Sequence, residues 1–188
     1  HSFEDFNVSD LRRVYLAKPA AIDSSFSRVT GENISEILGT LGVDGNADLY
    51  FLNPNGVVFG ENAQLDIAGS LFVSTADGFD WGEGLVYSAT DPNAPPLLAV
   101  SLTPGLQLSA TQRAIENSGN LSVGKDLTLA SRDLTLTGEL LAGETLSLLA
   151  TDTLEIRDSQ TQPFIASAGD RLLAQGDNLI DIFALNHP

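Results

Sequence analysis

Residues 50–60 read YFLNPNGVVFG: two apolar runs, 49–52 and 57–59, held apart by Asn53-Pro54-Asn55-Gly56. Pro54 has no amide donor and a fixed φ, so it suits the first central position of a turn. Asn53 can cap that turn through its side chain, Asn55 tolerates unusual φ, and Gly56 accepts positive φ without strain. The stretch predicts a strand, a tight turn and a second strand. The turn makes either a hairpin or a corner between two sheets, and that choice decides the fold.

The second half of the chain argues for the corner. Apolar residues recur two apart at Leu121/Val123, Leu127/Leu129, Leu134/Leu136, Leu146/Leu148 and Leu154/Ile156, with Gly, Asp, Ser and Thr between the pairs. Period two with turn formers between means short strands. A longer frame is superimposed, because GKDLTLASRDLTL, GETLSLLATDTLEI and GDRLLAQGDNLIDI begin at Gly124, Gly143 and Gly169, spaced by 19 and 26 residues. A recurring unit of about 20–30 residues built from short strands is a β-solenoid signature. Residues 157–166 read as a loop bulging from one coil.

The first half fits the same frame more loosely, with Leu41, Phe51, Val58, Leu65, Ile67, Leu71 and Val73 expected to point inward. Ile34 to Leu38 reads as a short helical turn. Residues 78–104 hold the only Trp and several prolines and break the rhythm, which predicts an extra-helical loop or small hairpin. The fold expected is all-β, a β-helix solenoid. No second domain boundary is visible.

With 188 residues and 43% hydrophobic content, the chain can bury a core. Its 25 acidic against 9 basic residues give a formal charge of -16, which opposes nucleic acid and anionic membranes. No apolar run approaches the ~20 residues of a membrane span, so no membrane insertion is expected. No signal peptide opens the chain, and without an initiator Met it reads as a piece of something longer. Cysteine is absent, consistent with a chain that crosses a membrane unfolded.

HSFEDFNV at 1–8, FSRVTGENISEILGTL at 26–41 and NADLYFLNPNGVVFGENAQLDIAGSLFVSTAD at 46–77 resemble the N-terminal secretion domain of two-partner secretion exoproteins. This is the haemagglutination-activity domain of filamentous-haemagglutinin-like proteins, and the cyanobacterial members are most similar. The close resemblance covers residues 1–105, with 106–188 expected to continue the coils of the same solenoid. It implies a right-handed parallel β-helix, secreted through the periplasm and outer membrane of a Gram-negative-type bacterium. The implied partner is an outer-membrane transporter that recognises the domain through its POTRA domains. Asn53, Pro54, Asn55 and Gly56 match the family's secretion motif, and His1, Ser2 and Phe3 match its opening pattern. Family members carry a capping segment before that pattern, so the cap is expected to be missing here. The motif is either recognised directly or needed only for folding.

Catalytic and metal readings find little support. Asp44, Asp48, Asp66, Asp126, Asp133, Asp152 and Asp170 stand singly at turn positions, and few basic residues accompany them. His1 and His187 lie at opposite ends, which argues against a triad or a histidine metal site. The fragments at 44–46 and 91–93 lack the rest of a calcium loop. No enzyme, metal or cofactor is expected. Phe3, Phe6, Tyr50, Phe51 and Phe59 read as core or cap packing, while Trp81 is a candidate partner contact. The alternative function is an adhesin module that contacts host cells, glycans or proteins.

Overall fold

The computed structural model describes residues 1–17, 23–80, 86–91, 105–107, 113–159 and 161–184. The chain winds as a parallel β-helix whose complete coils contribute strands to three faces. The first coil carries β1 (Ser2–Phe3) and β2 (Arg13–Leu16), and the second carries β3 (Ser24–Val29), β4 (Ser35–Ile37) and β5 (Thr40–Val43). The third holds β6 (Asp48–Leu52), β7 (Val57–Phe59) and β8 (Gln64–Asp66). The fourth begins with β9 (Leu71–Ser74), leaves the helix through β10 (Gly78–Asp80), β11 (Val86–Ser88) and β12 (Gly105–Gln107), and returns with β13 (Ala114–Asn117) and β14 (Asn120–Val123). Then come β15 (Leu127–Leu136) and β16 (Glu139–Ala142), β17 (Thr145–Arg157) and β18 (Ile165–Ala168), and finally β19 (Arg171–Gly176) and β20 (Leu179–Phe183).

Strand pairing resolves the opening question. β6 pairs in parallel with β3 and β9, whereas β7 pairs in parallel with β4 and β13. The two runs flanking Asn53–Gly56 do not pair with each other, so the turn is a corner. β15 and β17 are each long enough to serve two faces, and a register shift between Ser131 and Asp133 marks the bend.

Period-two alternation puts every second side chain inside, and the parallel register then stacks like on like. Leu49, Leu71, Leu127 and Leu146 form one column, and Phe51, Val73, Leu129 and Leu148 another. On the second face Val57, Ile115, Leu134 and Leu154 align. All twelve are essentially inaccessible to solvent, and each such side chain contributes about 1.5–3 kcal/mol through burial.

Two sequence expectations need correction. Val58 faces outward while Val57 and Phe59 are buried, because the alternation runs unbroken through the corner, with Asn53 occupying an inward position. The helical turn expected at Ile34 to Leu38 is instead the strand β4, which alternation requires in order to seat Ile37 in the core beside Phe59.

The excursion expected at 78–104 is a small antiparallel sheet in which β10 lies between β11 and β12. It covers an aromatic ladder on the outside of the first face. Phe26 stacks on Tyr50 at 4.5 Å and Tyr50 on Phe72 at 5.8 Å, while the buried Phe79 meets all three edge-on. This forms a second, smaller core outside the coils.

Candidate secretion motif and its surroundings

The corner is a hydrogen-bonded turn. Gly56 N donates to Asn53 O at 3.1 Å, Pro54 takes the first central position, and Gly56 has φ 119°. That φ is why glycine stands there. Asn55 does not use the left-handed region, which among the described non-glycine residues only Leu11 occupies.

Asn53 is buried completely, and both ends of its amide are engaged. Nδ2 donates to Ser35 Oγ at 2.9 Å and to Asn33 O at 3.1 Å; Oδ1 accepts from Asn55 N at 3.0 Å and Asn55 Nδ2 at 3.1 Å. Asn55 Nδ2 also donates to Gly31 O at 2.8 Å. The two asparagines therefore fasten the third coil's corner to residues 31–35 of the second. In the folded domain Asn53 presents nothing to a partner, while Pro54 and Asn55 are half-buried.

His1, Ser2 and Phe3 lie on the edge of β3, with Ser2 opposite Arg28 and Phe3 opposite Val29. Phe3 packs on Phe6 and Phe6 on Phe51, at centroid distances of 5.0 and 5.1 Å, leading from the opening pattern into the core. Arg28, which sequence reasoning did not single out, is buried. Its Nε donates to Ser2 Oγ at 2.7 Å, its Nη1 donates to Ser88 O, and its guanidinium lies 4.6 Å from the Tyr87 ring centre. Tyr87 in turn donates to His1 O at 2.5 Å. The opening pattern and the antiparallel sheet are thus tied together, 86 positions apart in sequence. An arginine amid strand-forming residues was the available signal, but its partners are remote.

The opening pattern and the Asn53–Gly56 corner meet through residues 30–31: Thr30 N donates to Phe3 O at 2.8 Å, and Gly31 O accepts from Asn55 Nδ2. Trp81, the candidate partner contact, lies outside the described residues. Among the described residues, no three His, Asp or Glu side chains stand close enough to share a metal ion.

The TPS secretion domain family matches residues 1–180. Over 75 residues, 40% of this chain, the sequence is 36% identical to a heme/hemopexin-binding protein of Haemophilus influenzae strain Rd. It is 32% identical over 75 residues to another Haemophilus influenzae protein of that name. The matched segments span 8% of each relative's own length.

Proposed function

This chain belongs to the two-partner secretion (TPS) domain family, and on that premise we propose that it is the transporter-recognised segment of a larger exoprotein. The partner is a cognate outer-membrane transporter whose POTRA domains take up the chain in the periplasm before it folds. The domain then folds into its β-helix on the far side. Its role is recognition and folding, without catalysis.

The observation that carries this reading is the complete burial of Asn53 with both ends of its amide engaged. A partner that reads this side chain must do so in the unfolded chain. Once folded, the same amide becomes a fastening between coils. Recognition and folding are thereby successive uses of one motif. Coil stacking supplies the favourable free energy of folding outside without disulfides.

The test is export of the protein in cells with and without the cognate transporter, for wild type, Asn53→Ala and Asn55→Ala. Appearance in the medium only with the transporter, and loss in both variants, supports the proposal. Export indifferent to the transporter overturns it.

A further inference from the structure

A groove of about 440 Å³ lies along the third face, away from the Asn53–Gly56 corner. Its walls come from four successive coils. Arg13, Thr40 and Gln64 are register partners on β2, β5 and β8, and Asn120 lines the groove from β14. Parallel pairing holds such a column of polar side chains at roughly 4.8 Å per coil without further adjustment. Asn62 and Arg12 complete the lining chemistry, together with Asp10 and Glu61.

Arg12 and Arg13 are the chain's only adjacent basic pair. Both are exposed, and neither guanidinium has a hydrogen-bond or ion-pair partner among the described residues, although the chain carries 25 acidic side chains. Asp10 does not neutralise them by contact. Its Oδ1 accepts from Leu11 N at 2.9 Å and from Asn62 Nδ2 at 3.2 Å, which braces the loop.

That brace holds Leu11 at φ 57° with 90% of its surface exposed. A leucine in the left-handed region is disfavoured, and this one gains no burial in return. The loop is seated closely: a Cβ at Gly39 would lie 2.3 Å from Arg12 O and 2.5 Å from Ser9 O. Strain held by dedicated contacts and unrelated to core packing points to a binding role.

We propose that this groove binds a carboxylate-bearing sugar residue of the uronate class. The arginine pair receives the carboxylate, the amide and hydroxyl column receives the ring hydroxyls, and Leu11 meets the apolar C–H face. The overall negative field opposes densely charged polyanions, so a singly charged residue rich in neutral hydroxyls fits best.

The test is an NMR titration of the full 188-residue chain with D-glucuronate, D-glucose and acetate. Glucuronate is expected to shift signals of Leu11, Arg13, Gln64 and Asn120, with glucose and acetate about tenfold weaker. Arg12→Gln/Arg13→Gln should weaken glucuronate about tenfold, and because these side chains hold nothing in the fold, the variant remains folded. Leu11→Gly should raise the melting temperature by about 2–4 °C while weakening binding. Absence of shifts, equal affinity for glucose or acetate, or unchanged affinity in either variant would overturn the proposal.

Discussion

The side chain of Asn53 reaches Ser35 in the preceding coil, its Nδ2 donating to the Ser35 Oγ at 2.9 Å, and both residues are completely buried. The contact joins the Asn53–Gly56 corner to β4, so the corner is part of what stacks the second and third coils. Asn53→Ala leaves Ser35 Oγ, Asn33 O and Asn55 N short of a partner. We expect a loss of about 2–4 kcal/mol in urea unfolding. A loss under 1 kcal/mol would mean that water or neighbouring groups replace the amide.

Pro54 separates folding from recognition. It sits half-buried at the turn and has no amide to lose, so Pro54→Ala should cost only about 0.5–1 kcal/mol. If the transporter reads the motif in the unfolded chain, export of this variant falls much further than its stability does. Export that tracks stability across Asn53→Ala and Pro54→Ala assigns the motif to folding alone.

Tyr15, Gly42 and Asp66 are register partners on three consecutive coils. The Tyr15 ring lies across Gly42 to donate its hydroxyl to Asp66 Oδ2 at 2.5 Å, and a Cβ at Gly42 would approach the ring to 2.5 Å. That hydrogen bond raises the Tyr15 pKa, and burial raises those of Tyr50 and Tyr87. A raised folded-state value means that stability is fully present below the ordinary tyrosine pKa of about 10 and is lost as pH rises through the folded values. Ultraviolet titration should show all three tyrosinates appearing late, and Gly42→Ala should return one of them towards the ordinary range. Three ordinary titrations in the wild type would contradict this arrangement.

Phe79 tests whether the antiparallel sheet is a separate cooperative unit. It is fully buried against Phe26, Tyr50 and Phe72, so Phe79→Ala should destabilise its surroundings by about 3–5 kcal/mol. Hydrogen exchange should accelerate at Val86–Ser88 and stay slow at Leu127–Leu136. Acceleration of both segments together would show that the outer cluster and the coils open as one.

Local alternation made the coils legible. Leu127/Leu129 and Leu146/Leu148 announce inward positions within each strand, and stacking only repeats that pattern from coil to coil. Val58 was misassigned because the residue continuing the phase through the corner is polar: Asn53 hides an inward position from a hydrophobic count. The ladder of Phe26, Tyr50 and Phe72 was invisible for a different reason. Its members are 22–24 positions apart and become neighbours only once register is fixed. The same holds at the motif, where Asn53 and Asn55 stood out as turn formers but their partners Gly31, Asn33 and Ser35 did not.

Two buried serines should respond with opposite signs. Ser35 Oγ accepts from Asn53, whereas Ser27 Oγ, equally buried and in register with Phe51, has no hydrogen-bond partner among the described residues. Removing the Ser27 hydroxyl relieves an uncompensated desolvation at almost constant volume, so Ser27→Ala should stabilise the domain by about 1 kcal/mol. For a domain of this size that raises the melting temperature by about 2–4 °C. Ser35→Ala withdraws an acceptor from a buried amide and should cost about 1–2 kcal/mol. Thermal melts of the two variants, run side by side, decide the point: shifts of the same sign would mean that the Ser27 hydroxyl is satisfied in solution, by water held inside the first face.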